Sequence, residues 1–234
     1  MARAVGVVRL GRRAFGPERL LVMAVVSPGD PAAAMERVHE AVAEGADIVD
    51  IGGGRTVPFI AAVRDAYPEL VIGVRWVRPE MAREACAAGA DLLGGSGIWL
   101  AEVAASCGTG VVCPLALAAR AVETGVEPER IIVSPESTRQ LPDLVAAGWP
   151  VLISVSGQDL AGSLATTAVA AWRGARVFRV DQVLQTRRVL AMVSAIRGDI
   201  PPAAAVRGLA LYPASGDLGS PYSETVPWPG RQRC

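Results

Sequence analysis

The chain contains no lysine and no asparagine, so all 23 of its basic side chains are arginine, and it has a single histidine, His39. Chemistry that needs a lysine amine or an asparagine carboxamide is therefore closed to this sequence. His39 falls in the middle of the first long helical stretch, far from the strand ends and without an acidic or nucleophilic partner in the expected mouth, and reads as a surface or packing residue. Charge of one sign is lacking too: 23 basic residues balance 23 acidic ones, which excludes a global attraction to nucleic acid or to an anionic membrane. Nowhere do about eighteen apolar residues run together, and the start, MARAVGVVRLGRRAFG, has no sustained apolar stretch before a small-residue cleavage site. A soluble, cytoplasmic protein is expected. The four cysteines, Cys86, Cys107, Cys113 and Cys234, form no C-x-x-C pair, and three lie in apolar segments where cysteine behaves as a small hydrophobe. A reduced compartment fits them.

What is present is a large apolar fraction, 51% of 234 residues, enough for one sizeable core. After a short segment that reads as a hairpin around residues 9–16, β-rich runs alternate with Ala-, Glu- and Arg-rich helical stretches. The strand candidates are LLVMAVV (20–26), DIVDIG (47–52), LVIGVRW (70–76), DLLGGS (91–96), GVVCPL (110–115), RIIVSP (130–135), PVLISV (150–155) and RVFRV (176–180). Each is short, apolar and rich in Val, Ile or Leu, as buried parallel strands are. Helix candidates such as AAAMERVHEAVAEG and VLQTRRVLAMVSAIRG end in glycine before the next strand. Eight such units predict a single (βα)₈ TIM barrel over residues 1–211. The endings E-G-A-D and A-A-G-A-D (44–47 and 87–91) read as one helix-to-strand turn used twice. Residues 212–234, dense in Pro, Gly and Ser, read as a tail without a core of its own.

In a barrel of this kind, reactive groups sit at the C-terminal ends of the strands. Those positions carry Ser27, Asp30, Asp50, Gly52 to Thr56, Arg75, Gly94, Gly95, Cys113, Ser134, Glu136, Ser156 to Gln158, Arg179 and Asp181. The loops between strand and helix are short and leave little to cover a substrate. Gly52 to Thr56 admits two readings: backbone N–H groups with Arg55 and Thr56 cradle a phosphate, or the glycines only turn the chain and Thr56 caps the helix. Arg75, in an otherwise apolar strand, needs an anion, which is either Asp50 on the neighbouring strand or a ligand. Arg179 and Asp181 allow the same choice, a phosphate-binding arginine completed by Ser156 and Gly157 or a self-satisfied pair. No Cys/His/Asp/Glu cluster has metal-ligand spacing and no serine lies in a G-x-S-x-G elbow, so metalloenzyme and hydrolase readings drop out and no cofactor is expected.

The segments LLVMAVV, AVAEGADIVDIGGG, Val74-Arg75, AAGWPVLISVSG and GARVFRVDQV together resemble dihydropteroate synthase over nearly the whole barrel. The resemblance is strongest to that family's folate-independent second branch in actinomycete-type bacteria, with its VPFI, A-Y-P and V-R-G-L-A stretches. The resemblance implies a dimeric barrel that joins a pterin pyrophosphate to p-aminobenzoate. It also implies aspartates and asparagine on the pterin, and asparagine, Mg²⁺, arginine and histidine on the diphosphate. Against that pattern the first-loop asparagine is missing, with Ala24-Val25-Val26 running into Ser27-Pro28-Gly29-Asp30, and the second loop is cut to Gly53-Gly54-Arg55-Thr56. Arg75 replaces a pterin-binding aspartate, Gly94-Gly95 an Asn-Asp pair, Glu136 stands in the Asp-Pro-Gly motif, Gln158 replaces a lysine and Asp181 a histidine. Only Asp50 and Arg179 match outright. An arginine cannot accept the pterin's amino hydrogens, and no realignment restores asparagine or lysine. The expectation is a catalytically inactive homologue, a homodimeric interaction or regulatory module with an unidentified protein partner. Two alternatives stay open: a binder of a small anion or pterin-like ligand through Arg55, Arg75, Ser156 and Arg179, and a weak or altered transferase.

Overall fold

A computed structural model describes residues 6–52, 57–75 and 79–199. Arg55, Thr56 and the tail at 212–234 lie outside the described residues, as does the expected boundary after residue 211. Two short strands, β1 (Val8–Leu10) and β2 (Arg13–Phe15), form the hairpin read from the sequence, with Gly11 taking the positive φ its turn requires. Eight parallel strands follow: β3 (Leu21–Val26), β4 (Ile48–Gly52), β5 (Val71–Arg75), β6 (Leu92–Gly94), β7 (Gly110–Cys113), β8 (Ile131–Val133), β9 (Leu152–Ser154) and β10 (Val177–Val180). Each pairs with its sequence neighbour, and β10 returns to β3. The seam between β8 and β9 is held by the bridge Val133 to Val151 and by the Val133 N–H on the Pro150 carbonyl at 2.9 Å. The sheet thus closes into the expected (βα)₈ barrel.

The helices are α1 (Pro31–Ala43), α2 (Val57–Ala66), α3 (Pro79–Ala87), α4 (Ile98–Cys107), α5 (Leu115–Glu123), α6 (Leu141–Ala146), α7 (Leu160–Trp172) and α8 (Val183–Arg197). Alternation along each strand divides the apolar residues into two sets. Val22, Val49, Ile72, Leu93, Ile131, Ile153 and Phe178 face the helices. Leu21, Met23, Ile48, Val71, Leu92, Ile132, Leu152 and Val177 fill the lumen, and the hairpin's Val8, Leu10 and Phe15 close the lumen from below.

Helix ends repeat one solution. After α1 and α3 a positive-φ glycine, Gly45 or Gly89, is followed by an N–H that reaches back five residues, Ala46 to Ala41 and Ala90 to Ala85. The same bond recurs at Thr109 to Ala104, Val126 to Ala121, Trp149 to Leu144 and Ala175 to Ala170. The twice-seen G-A-D ending is therefore a turn used six times. Its aspartates do further work: Asp47 accepts the Val22 N–H and Asp91 the Ile72 N–H, each at 2.9 Å. Arg19 and Arg187 pair with Asp47, and Arg64 with Asp91. Buried Arg176 ties the carbonyls of Gly16 and Arg19 to the base of β10. The ions at this closed end hold chain to chain.

Candidate functional site at the barrel mouth

The alternation that puts Ile48 in the lumen puts Asp50 one layer higher, at the floor of the mouth. In register beside it stand Gly73, then Arg75 and Gly94, and on the other side Ser154 and Arg179. Arg75 Nε donates to Asp50 Oδ2. Arg179 Nη1 approaches the same oxygen at 3.7 Å while its Nε donates to Ser154 Oγ at 3.1 Å. Glycine makes the arrangement possible, because a Cβ on Gly52 would come within 2.9 Å of Arg75 Nη2. Burial raises the Asp50 carboxyl pKa, against the opposing pull of Arg75 and then Arg179. Burial lowers the Arg179 pKa, with Asp50 acting in the opposite sense.

Above this floor opens a cavity of about 280 Å³, walled by Leu92, Gly95, Val112, Cys113 and Ser134 and rimmed by Glu136. Among the described residues no long loop closes over it. Pro114 alone joins β7 to α5, Asp181 and Gln182 join β10 to α8, and residues 95–97 join β6 to α4. Asp30 is spent as the cap of α1, accepting from Ala32 and Ala33. Burial pushes the Cys113 thiol up to about 11, so it stays protonated near neutral pH and makes a poor nucleophile. His39 lies on α1 with Nδ1 2.5 Å from the Tyr67 hydroxyl, a contact between helix surfaces.

Asp50, Arg75 and Arg179 thus come together, whereas Arg179 and Asp181 do not. Asp181 accepts the Gly157 N–H at 2.7 Å and pins the loop after β9. The arginine's side-chain partner there is Ser154, a residue the sequence reading passed over in favour of Ser156, whose Oγ lies 3.4 Å from that of Ser154. Period-two alternation from Leu152 was the signal that would have found it. Among the described residues no three His, Cys, Asp or Glu side chains converge to hold a metal ion. With Ser27 exposed and Asp30 committed to its helix, the first loop does not fit the Mg²⁺ that the family pattern implies.

No family model matches the chain. Curated relatives do. The protein named inactive dihydropteroate synthase 2 from Mycobacterium tuberculosis is 36% identical, with 86% of this chain and 90% of that protein covered. Its Mycobacterium leprae namesake is also 36% identical, covering 85% and 98%. The M. tuberculosis match spans 286 aligned positions, more than the 234 residues present here, so that relative carries insertions this chain lacks, in keeping with the short loops. Among solved structures, Mycobacterium tuberculosis Rv1207 superposes with a TM-score of 0.76 at 41% identity, covering 83% of this chain and 99% of that one. The Yersinia pestis dihydropteroate synthase superposes at 0.75 with 20% identity, covering 83% and 100%, a likeness of fold. The chain belongs to the dihydropteroate synthase family, as a paralogue whose catalytic groups are lost.

Proposed function

We propose that this protein is a non-catalytic, cytoplasmic barrel that acts as a homodimeric interaction or regulatory module and keeps a small anion site at its mouth. The observation that carries the dimer is the outer face of α7. Its thirteen residues, LAGSLATTAVAAW, include no charged side chain, yet Leu160, Ala161, Ala165, Val169 and Trp172 face outward. A solvated helix face normally carries charge, and an apolar one calls for a cover. On α8, which packs against α7, Met192 and Ile196 are exposed and extend the same apolar face. The occupant that suits this face is a second copy meeting α7 and α8 across a twofold axis, where a self-complementary patch buries itself.

The mouth supports the second half of the reading. Two guanidinium groups share one carboxylate, leaving a positive excess at the cavity floor, and a phosphate or carboxylate fits that excess in size and sign. The test has two arms. Sedimentation equilibrium of the purified protein should give a dimer that dissociates on dilution, and a monomer at every concentration overturns the interaction reading. Thermal unfolding with added inorganic phosphate should rise against a chloride control at matched ionic strength, and an unchanged midpoint removes the anion site. Turnover of pterin pyrophosphate with p-aminobenzoate would overturn the non-catalytic reading.

A further inference from the structure

At the closed end of the barrel lies a second cavity, of about 670 Å³, that the mouth does not use. The C-terminal turns of two packed neighbours, α3 and α4, reach it, and each brings a cysteine: Cys86 is the penultimate residue of α3 and Cys107 the last of α4. Cys86 Sγ lies 3.9 Å from Oγ1 of Thr109, and both cysteines line the same cavity. Cys86 is half-buried and Cys107 exposed, so one sulfur meets solvent while the other waits behind it. The N-terminal hairpin's Gly11 and Arg12 and the arginines Arg64 and Arg130 complete the wall.

We propose that Cys86 and Cys107 form a reversible disulfide that clamps α3 to α4 when the protein meets a peroxide. The Cys107 thiolate attacks one oxygen of hydrogen peroxide, the O–O bond breaks, hydroxide leaves, and Cys107 becomes a sulfenic acid. The Cys86 sulfur then attacks the Cys107 sulfur, the S–S bond forms, and the S–O bond breaks. The departing hydroxide takes the proton that Cys86 gives up and leaves as water. Two thiols and one peroxide become one disulfide and two waters, with two electrons passing from sulfur to peroxide.

The surroundings set the order of events. Arg130 Nη1 donates to the Gly108 carbonyl at 2.7 Å, one residue beyond Cys107 at the end of α4. Cys86 is pushed up to about 12, by burial first and then by the Cys107 thiol, so it stays protonated until the second step.

The test treats the full chain with hydrogen peroxide under native conditions and then blocks remaining thiols with an alkylating agent. Trypsin leaves all three described cysteines on one fragment, 84–120, because the chain has no lysine and no arginine between residues 83 and 120. A glutamate-specific protease cuts after Glu102 and separates fragment 85–102 from fragment 103–123. The expected product is these two fragments joined, with the bond placed on Cys107 by fragment-ion sequencing and lost on adding dithiothreitol. The Cys86→Ser variant should leave a Cys107 sulfenic acid that dimedone captures, and Cys107→Ser, at an exposed site, should give no linked product while keeping its circular dichroism. Full alkylation of both cysteines after oxidation, or a bond that runs instead to Cys113 or Cys234, overturns the proposal.

Discussion

Replacing Trp172 with alanine tests whether the outer face of α7 meets a second copy. Tryptophan is 59% exposed there, so of the roughly 250 Å² that a large aromatic side chain presents, about 150 Å² remains to be covered. At about 25 cal/mol per Å², full burial contributes about 3.5 kcal/mol per protomer. Ordering the side chain and covering it imperfectly leave about 2 kcal/mol. A twofold axis counts the substitution twice, which makes about 4 kcal/mol, or roughly a thousandfold increase in Kd. The assay is sedimentation equilibrium over at least two decades of concentration, with Leu115→Ala as control. Leu115 is 48% exposed at the start of α5, away from the α7–α8 face, so its truncation should leave the dimer unchanged. Because Trp172 is exposed in a single chain, the monomer's stability should move by less than about 0.5 kcal/mol. If Trp172→Ala dimerises as tightly as the parent, or both substitutions weaken the dimer alike, the face is not the interface.

Three further outcomes follow from the mouth and the closed end. Arg179→Gln should abolish the rise in unfolding midpoint with phosphate, whereas Ser156→Ala should leave it, since Ser154 is the hydroxyl that Arg179 engages. Phe15→Ala should cost about 3 kcal/mol in urea unfolding, because the ring is 5% exposed, plugs the lumen and carries the Arg13 guanidinium 4.7 Å above it; a loss below about 1 kcal/mol would show that the hairpin is not part of the core. The third concerns pH. Burial raises the Asp50 carboxyl, so the folded chain keeps that proton longer than the unfolded chain does. The group's contribution to stability is then fully present below the ordinary carboxylate value, near 3.8, and is lost as pH rises through the folded value. The stability of the parent minus that of Asp50→Asn must therefore fall as pH rises above about 4. A difference that grows with pH would mean that pairing with Arg75 and Arg179 outweighs burial.

Much of the fold was legible in the sequence because its signals are local. All eight strands lie inside the apolar runs, shortened by one to three residues mainly where a turn residue such as Pro114 or Gly95 had been counted in. The hairpin was placed around residues 9–16, and the helix ends followed from their glycines. The site was less legible because its partners are chosen across the barrel. Asp181 stands two residues from Arg179, but β10 points the arginine into the lumen toward Asp50 and leaves the aspartate beside the Gly157 N–H. Sequence proximity offered that pair only as one of two readings. The roles of Arg64, Arg176 and Arg187 were equally hidden, since each spends donors on carbonyls or carboxylates 25 or more positions away, and of the three Arg64 alone also bonds nearer carbonyls.

The two ends of the barrel explain how the catalytic groups were lost while the fold was kept. At the closed end, Asp47 and Asp91 each hold a strand N–H and at least one arginine, so removing either would leave a buried donor or cation unmatched. At the mouth, the one-layer-higher positions are free of that duty and tolerate exchange, provided a new charge finds a partner. An arginine at position 75 facing Asp50 meets that condition without any substrate, since the side chain gains a carboxylate and the glycine walls at 52 and 94 give it room. The pair occupies the floor where a flat heterocycle would need acceptors, so restoring aspartate at position 75 alone sets two carboxylates side by side with Arg179 as their one shared counter-ion. Arg75→Asp is thus expected to lower the unfolding midpoint and not to recover pterin binding, measured by thermal unfolding and by calorimetric titration with pterin. A variant that binds pterin tightly would show that the arginine was the last barrier rather than one loss among many.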